Sequence, residues 1–395
     1  MRFVPRHATK VLRGQLSTFP CALLLGPRQC GKSTLAAHHC RGWKRLDLER
    51  PADFEALSDD IEGFLATNPR HVVIDEAQRL PALFPALRHA LDQERGAGRY
   101  LLLGSASPPL LKTASESLAG RVGVVELAPF SPSELLGVPG AADRWFWGGL
   151  PPVHHYRSAD RRGRWLDGYI TAFLERELPM LGVRIDPTRL RRLWTMLTHV
   201  HGQLLNASDL ARSLSVSSHT VDSHLDVLES AFMVRRLPPF FANVRKRLTK
   251  RPKLYVRDSG LLHFLAGLRR PDDLTTWPRR GHSFEGLVIE EIAALAAERV
   301  LRPELCFWRT QAGAEVDLLV VDGPRITPIE IKLGAAVDGR QLAGLRQCMA
   351  DLGLERGYVI SSGSVTHELP GGVMVVPWRD IVARKADLGI GVATA

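Results

Sequence analysis

The sequence predicts an α/β protein with several domains, and three observations support this. Short apolar segments that suit strands alternate with helical segments through residue 135, which favours a parallel sheet with helices on both faces. In the last third, a helical segment at 284–299 precedes two apolar segments joined by Asp322 and Gly323, a signal for a tight hairpin. The chain has 395 residues, which suits two or three domains of about 100–200 residues each.

The composition excludes several classes of protein. Apolar residues make up 45% of the chain and charged residues 24%, so it can form hydrophobic cores and disorder is not expected as its main state. No segment is apolar over the roughly 18 residues of a membrane helix, and the apolar run at 21–25 is too short for a secretory signal. The five cysteines lack C-x-x-C spacing, which argues against disulfides and zinc. We therefore expect a cytoplasmic protein, and its net charge of +10 favours an anionic partner.

The first apolar segment leads into a glycine-rich phosphate-binding loop. Residues 26–33 read GPRQCGKS, which matches the P-loop pattern G-x-x-x-x-G-K-S, and a helical segment follows. The glycines let backbone N–H groups surround phosphate oxygens, and the start of the helix adds a positive dipole end. We expect Lys32 to reach the β- and γ-phosphates and Ser33 to bind Mg²⁺. The predicted nucleotide-binding residues of the loop are Gly26, Pro27, Arg28, Gln29, Cys30, Gly31, Lys32, Ser33 and Thr34.

Two acidic residues follow the next apolar strand segment. We expect Asp75 to hold Mg²⁺, directly or through water, and Glu76 to polarise the attacking water as a general base or an orienting group. Adjacent acids also occur at strand ends without any function, but the P-loop upstream favours the catalytic interpretation.

Two more residues are candidates for contact with the γ-phosphate. Ser105 follows the strand predicted at 100–103, where a polar side chain could sense this group. Arg121 precedes the strand predicted at 122–127 and could touch a γ-phosphate in its own or a neighbouring subunit. A plain turn at Ser105 and a solvated Arg121 are equally compatible with the sequence.

The order of these motifs resembles that of a known family. The P-loop, IDEAQ at 74–78, LLGS at 102–105 and SLAGR at 117–121 are similar to the AAA_14-like ATPases of prokaryotes that carry a C-terminal DUF4143 region. The resemblance continues through GGLP at 148–151 and covers nearly the whole chain. It implies ATP as ligand and substrate. It also favours a homo-oligomer, because such ATPase cores often complete their sites with an arginine from a neighbour.

We expect four parts along the chain. They are an AAA-type ATPase core over 1–140, a helical lid or connector over 141–200, a winged helix-turn-helix over 201–258 and a restriction-endonuclease-like (DUF4143) domain over 259–395.

The segment at 207–230 predicts the helix-turn-helix. Two amphipathic helices, at 207–214 and 218–230, flank a short turn in which Ser217 is placed as N-cap. Side chains expected to face outward, toward phosphates or bases, are those of His219, Thr220, Ser223 and His224.

Residues 235–257 carry nine Lys and Arg and no acid, which predicts contact with DNA. A hairpin wing there would present to a phosphate backbone the side chains of Arg245, Lys246, Arg247, Lys250 and Arg251. Winged helices also serve as protein-binding modules, and a run of charge can be a solvated face, so these alternatives stay open.

The C-terminal part carries a second group of acids. Asp317, then Glu330 and Lys332 on the paired strand, reproduce the D-x(n)-E-x-K pattern of restriction-endonuclease-like folds. Residues two apart on a strand share a face, so Glu330 and Lys332 can point into one cleft. We expect Asp317 and Glu330 to hold Mg²⁺, with Glu285 reaching in from the helix at 284–299, and Lys332 to orient water or stabilise charge on phosphate. A surface ion pair on a hairpin is the alternative.

Two functional hypotheses follow. In the first, an ATPase couples its nucleotide state to DNA binding and to metal-dependent cleavage. In the second, the chain is a nucleotide-dependent switch that cuts nothing and whose C-terminal half binds a protein or DNA.

Overall fold

The computed structural model describes residues 3–94, 96–105, 117–139, 144–180, 185–240, 251–337 and 339–391. Within these ranges the strands form three sheets, of five, three and six strands. The predicted fold class is confirmed, because the first sheet is parallel and the C-terminal part is an α/β domain with a mixed sheet. No helix in these ranges is both long and apolar enough to span a membrane.

The first sheet is parallel throughout, in the order β2-β3-β4-β1-β5. Its strands are β1 (Cys21–Gly26), β2 (Lys44–Asp47), β3 (Val72–Asp75), β4 (Tyr100–Ser105) and β5 (Val122–Glu126). Because the strands are parallel, the carboxyl ends of β1, β3 and β4 meet at one edge of the sheet. This is the edge at which open α/β sheets bind ligands.

Helices cover both faces of this sheet, as predicted. They are α1 (Ala8–Thr18), α2 (Lys32–His39), α3 (Pro51–Ser58), α4 (Ile61–Thr67) and α5 (Leu83–Gln93), with a 3₁₀ turn at Ala77–Arg79. Successive residues of β1 point to opposite faces. Leu23 therefore packs in one core with Leu87 of α5, whereas Leu24 packs in another with Leu12 of α1 and Leu35 of α2.

A helical connector follows the first sheet. Its elements are α6 (Arg144–Trp147), a 3₁₀ turn at Pro151–His155, α7 (Ala159–Ala172), a π-helical segment (Phe173–Glu177), α8 (Leu178–Met180) and α9 (Pro187–His199). Trp194 of α9 is fully buried and Phe173 lies against its ring. The connector shares one hydrophobic core with the helices that come next.

The helix-turn-helix lies against a small antiparallel sheet in the order β6-β8-β7. The elements are β6 (Gln203–Leu204), α10 (Ala207–Leu214), α11 (Ser218–Ser230), β7 (Val234–Leu237) and β8 (Lys253–Val256). Both predicted helices and the predicted cap are confirmed, since the backbone N–H of Thr220 donates to Ser217 Oγ at 3.0 Å.

The C-terminal part is a six-stranded mixed sheet in the order β13-β14-β12-β11-β10-β9. Two helices that precede it, α12 (Ser259–Leu265) and α13 (Pro271–Thr276), contribute to the hydrophobic core of the connector. The helices that follow are α14 (Arg280–Arg299), α15 (Ala343–Leu352) and α16 (Trp378–Val382), with a 3₁₀ turn at Gly339–Leu342. Its strands are β9 (Glu304–Arg309), β10 (Glu315–Asp322), β11 (Arg325–Lys332), β12 (Gly357–Ser361), β13 (His367–Leu369) and β14 (Val373–Pro377). The predicted hairpin is confirmed, because Asp322 of β10 pairs with Arg325 of β11.

Candidate functional site

Two glycines shape the loop between β1 and α2. A Cβ atom on Gly26 would lie 2.2 Å from the carbonyl oxygen of Leu127, which is closer than atoms can approach. Gly31 has a φ of +101°, a conformation that side chains disfavour. The glycines of the P-loop pattern are therefore required by the backbone path itself.

The side chain of Lys32 is held inside this loop. Its Nζ donates to the carbonyl oxygens of Gly26, at 2.9 Å, and of Pro27, at 3.0 Å, and the residue is only 6% exposed. An ammonium group has three N–H donors, so one remains for a phosphate oxygen.

Ser33 and Asp75 meet at the same edge of the sheet. Ser33 Oγ, at the start of α2, donates to Asp75 Oδ2, at the end of β3, with a distance of 2.6 Å. A hydroxyl and a carboxylate are oxygen ligands of the kind that Mg²⁺ prefers, so these residues fit the ion that accompanies a nucleoside triphosphate.

Glu76 follows directly in a strained backbone conformation, with a φ of +53°. Its Oε2 accepts a hydrogen bond from Gln78 Nε2. Burial raises the pKa of the Glu76 carboxyl, Lys32 opposes this shift and Asp75 adds to it. The acid is thus close to the phosphate-binding lysine and to the candidate metal ligand.

A second acid, Glu177, approaches the P-loop from the π-helical segment of the connector. Its Oε1 lies 3.7 Å from the Arg28 guanidinium, which also pairs with Glu49. Burial raises the pKa of Glu177 to about 7, against the effect of Arg28 and with that of Glu76. The hydroxyl of Tyr169 in α7 donates to the Arg28 carbonyl oxygen at 3.4 Å. No sequence pattern predicts that Glu177 lies near the P-loop, because a single π-helical turn has no recognisable hydrophobic periodicity.

The two candidates for γ-phosphate contact lie at opposite edges of the sheet. Ser105 pairs in register with Gly26, so its backbone is beside the P-loop. Arg121 precedes Val122, which pairs with Cys21 at the other end of β1. Five strand residues separate the two ends, roughly 16 Å. Arg121 instead forms an ion pair with Asp92, with Nε 2.5 Å from Oδ1. The prediction that Arg121 contacts the γ-phosphate of its own subunit is therefore corrected, because the residue lies at the wrong end of the sheet.

The predicted DNA-contacting residues divide into several groups. His219 is exposed on α11, Thr220 is half-buried beside Ser217, and Arg251 is exposed at the start of the β8 segment. Arg245, Lys246, Arg247 and Lys250 lie outside the described residues. His224 faces the core, contrary to prediction, and burial lowers its pKa.

Four of the nine basic residues at 235–257 are committed to carboxylates. Arg236 pairs with Asp226 and Glu229. Arg235 and Arg257 pair with Glu290, and Lys253 pairs with Glu285. The positive charge of this segment is therefore partly internal, which a count of charges along the chain does not reveal.

The acids of the C-terminal part come together around a lysine. Lys253 Nζ, from β8, lies 3.0 Å from Glu285 Oε1 in α14. It also lies 2.5 Å from Glu315 Oε1 and 3.3 Å from Asp317 Oδ1, both in β10. Lys332 Nζ lies 2.5 Å from Glu330 Oε1 on the same face of β11.

The pKa values of Glu285, Glu330 and Lys253 in this cluster are all raised, but for different reasons. Burial raises the pKa of Glu285 and of Glu330, and the Asp317 carboxylate adds to both shifts. Burial opposes the charge of Lys253, but the surrounding carboxylates outweigh it and hold the Lys253 pKa well above its usual range. The cluster thus holds a buried lysine as a cation.

The arrangement does not fit a divalent metal. Within the described residues, no three histidine, cysteine or acidic side chains form a group that could bind one. Glu285 and Asp317 both contact Lys253, whereas Glu330 contacts Lys332, so the predicted acids are paired with two lysines.

Three arginine–glutamate pairs join the first sheet, the small sheet and α14. Glu290 of α14 accepts from Arg235 Nε at 2.6 Å and from Arg257 Nη2 at 2.8 Å. Arg257 also pairs with Glu126 at the end of β5. Burial alone would raise the pKa of Glu290, but Arg235 and Arg257 outweigh it and lower the pKa to about 2.

Asp258 caps α12 and makes a second contact. Its Oδ1 accepts from the backbone N–H of Leu261 at 2.9 Å, at the start of α12. Its Oδ2 accepts from the N–H of Gly149 at 2.8 Å, which ties the glycine pair of the connector to the C-terminal part.

Matches to known protein families cover almost the entire chain. The model of the AAA domain family (AAA_14) matches residues 18–136, that of the domain of unknown function DUF8612 matches 139–272, and that of DUF4143 matches 280–381. Proteins Rv2008c of Mycobacterium tuberculosis and Mb2031c of Mycobacterium bovis are each 43% identical over 384 residues. Each alignment covers 95% of this chain and 84% of the relative.

Among solved structures, the Walker-type ATPase paby2304 of Pyrococcus abyssi is similar with a TM-score of 0.47 and 17% identity. That match covers 67% of this chain and 96% of the other. Taken with the P-loop geometry, the matches to the family models and the mycobacterial relatives show that this chain belongs to the AAA-type P-loop ATPases that carry a C-terminal DUF4143 region.

Proposed function

We propose that this ATPase hydrolyses ATP at the P-loop, with Glu76 activating the water, and that the nucleotide state controls binding by the rest of the chain. The observation that carries this proposal is the contact between Ser33 Oγ and Asp75 Oδ2 beside the half-buried Glu76. It supports the proposal because phosphate binding, metal binding and water activation need these groups at one edge of one sheet.

The proposed roles follow from the chemistry of each group. Lys32 binds β- and γ-phosphate oxygens with its remaining N–H donor. Ser33 and Asp75 hold Mg²⁺, which neutralises charge on the phosphates. Glu76 orients a water molecule and accepts its proton as the phosphorus–oxygen bond breaks.

We propose that Arg28 carries the signal from the nucleotide to the connector. Arg28 belongs to the phosphate-binding loop, yet its guanidinium faces Glu177 of the π-helical segment. Phosphate oxygens bind guanidinium strongly, so ATP offers Arg28 a competing partner. A shift of Arg28 toward the nucleotide would release Glu177 and change the packing of the connector against the loop.

Replacing Glu177 by glutamine is expected to reduce the response of the connector to nucleotide. The amide keeps the size of the side chain but not the charge that attracts Arg28. Limited proteolysis of the wild-type protein should change when a non-hydrolysable ATP analogue is added, and that change should shrink severalfold in the variant. Glu175→Gln, an exposed neighbour in the same segment, is the matched control. An unaltered nucleotide response in Glu177→Gln would exclude this route.

We propose DNA as the partner of the helix-turn-helix, which we interpret as a winged helix. The exposed His219 and Arg251, together with Thr220, support this proposal from the structure. Arg245, Lys246, Arg247 and Lys250 support it from the sequence, as bases for phosphate contact. We also propose that subunits associate into a homo-oligomer. In such an oligomer Arg121 would contact the γ-phosphate of the nucleotide bound by a neighbouring subunit.

The C-terminal domain has two candidate functions. The D-x(n)-E-x-K residues suggest metal-dependent cleavage with Lys332 as a catalytic residue, in a restriction-endonuclease-like fold. The position of Lys253 favours the alternative, in which the domain binds DNA or protein without cutting.

ATPase, DNA-binding and nuclease assays on wild type, Lys32→Ala and Lys332→Ala separate these functions. We expect Lys32→Ala to lose ATP hydrolysis and the effect of nucleotide on DNA affinity. We expect neither wild type nor Lys332→Ala to cut DNA with Mg²⁺ or Mn²⁺. Cleavage by wild type that Lys332→Ala abolishes would instead establish the nuclease. Equal DNA affinity with and without ATP would contradict the coupling.

A further inference from the structure

We propose that Lys253 is an internal cation that replaces a divalent metal in the acidic cluster of the C-terminal domain. The domain then acts as a binding module whose cluster is closed to metal. This inference rests on the non-cleaving form of the proposed function, whereas its test needs no ATP turnover.

The first support is the match between donors and acceptors. The Lys253 ammonium has three N–H donors, and one oxygen each of Glu285, Glu315 and Asp317 lies within 3.3 Å of its nitrogen. The side chain is 3% exposed, so water does not substitute for these partners. A buried ammonium is stable only when it is paired and hydrogen-bonded, and this cluster supplies both conditions.

The second support is that four of the oxygens a metal would need already accept hydrogen bonds. Asp317 Oδ1 accepts from Lys253, and Asp317 Oδ2 accepts from the backbone N–H of Ile331 at 2.9 Å. Glu285 Oε1 accepts from Lys253 and also from the hydroxyl of Tyr255, at 2.5 Å. Glu330 Oε1 accepts from Lys332. The buried Glu330 Oε2 makes no hydrogen bond within the described part of the chain.

The third support is electrostatic. A divalent ion bound to Glu285 Oε1 and Asp317 Oδ1 would lie within about 4 Å of the Lys253 nitrogen, and like charges at that distance repel strongly away from bulk water. The ammonium and the metal therefore compete for one position. The lysine has the advantage because it is attached to the chain, whereas a metal must be taken from solution.

The origin of Lys253 adds a structural consequence. It belongs to β8 of the small antiparallel sheet, whereas its acceptors belong to α14 and β10 of the C-terminal domain. Its side chain therefore also fastens the small sheet to the mixed sheet. A metal could balance the carboxylates but could not make this connection between the two parts of the chain.

Titration of the nucleotide-free, full-length protein with Mn²⁺ tests the proposal. All proteins carry Asp75→Asn, so that the P-loop site contributes no metal binding. We expect Lys253→Met, which keeps the length of the side chain and removes its charge, to gain one Mn²⁺ site by calorimetry. Saturating Mn²⁺ should raise its thermal midpoint by on the order of 5 °C, and the protein with Lys253 intact should show neither effect. Lys385→Met, at an exposed lysine, is the matched control and should gain no site.

Adding Asp317→Asn identifies the site and covers the case in which Lys253→Met does not fold. The gain in Lys253→Met should disappear when Asp317→Asn is added. A folded Lys253→Met protein without a new Mn²⁺ site would overturn the proposal. So would a protein with Lys253 intact that binds Mn²⁺ and loses this binding on Asp317→Asn. If the protein with Lys253 intact binds Mn²⁺ and Asp317→Asn does not change this binding, the ion is bound elsewhere and the proposal is supported. ATP turnover, measured separately without Asp75→Asn, reports on the ATPase proposal alone.

Discussion

Replacing Glu76 by glutamine is expected to lower the rate of ATP hydrolysis by roughly 10²–10⁴-fold while ATP still binds. The amide keeps the shape of the side chain and cannot accept a proton from water. The phosphate-binding groups stay in place, since Lys32 is held by the carbonyl oxygens of Gly26 and Pro27. Phosphate release under saturating ATP measures the first effect, and equilibrium binding of a fluorescent ATP analogue measures the second.

Glu55→Gln is the matched control for this experiment, because Glu55 is exposed on α3. It should hydrolyse ATP at the wild-type rate. A Glu76→Gln protein that retains hydrolysis within threefold of wild type would show that another group activates the water. Glu177 would then be the next residue to test, because its carboxyl also faces the P-loop.

Replacing Glu290 by alanine is expected to cause the largest loss of stability, about 3–5 kcal/mol in the free energy of unfolding. The substitution leaves the guanidinium groups of Arg235 and Arg257 close together without the carboxylate that they share. Because Arg257 also pairs with Glu126 of the first sheet, the loss should loosen the packing of the ATPase core against α14. Chemical unfolding and amide hydrogen exchange in α14 and β5 measure the effect.

The same carboxylate predicts a pH dependence. The pKa of Glu290 is lowered to about 2 in the folded protein. A carboxylate with a lowered pKa stabilises the fold above its unfolded pKa, near 4.3, and this contribution disappears as the pH falls toward 2. Wild type should therefore lose stability between about pH 4 and pH 2 more steeply than Glu290→Gln, which has no group to titrate there.

Glu55→Ala serves as the control for the stability measurement and should change the free energy of unfolding by less than about 0.5 kcal/mol. A Glu290→Ala protein as stable as wild type would mean that the ion pairs of Arg235 and Arg257 contribute no net stability. The ATPase core and the C-terminal part would then be joined mainly by apolar contacts.

Elements with a strong local pattern were predicted closely. The helices at 207–214 and 218–230 agree with the structure at both ends, because apolar periodicity marks both and a serine caps the second. The helix predicted from residue 284 begins four residues earlier, at Arg280, where polar residues conceal its first turn. His224 was predicted to be exposed and is buried, since it lies three residues after Val221 and four before Leu228, on the buried face of α11.

The nucleotide site was readable because its main parts are contiguous: one strand, eight loop residues and one helix start, with Asp75 and Glu76 after another strand. The sequence did not predict that Glu177 lies near the nucleotide site or that Lys253 lies in the acidic cluster. Tyr169 contacts Arg28 across 141 positions, and Lys253 contacts Asp317 across 64. Such pairs depend on how the connector and the sheets pack.

The sequence by itself determined the fold class, the P-loop and the acids that follow β3, because local backbone preferences and residue chemistry specify them. Only the tertiary structure decided which basic side chains at 235–257 are paired with carboxylates. A lysine in a basic run has the same charge in water or among carboxylates, and packing alone turned Lys253 toward Glu285, Glu315 and Asp317. A buried ammonium must be paired, which is the physical reason that Lys253 lies among carboxylates.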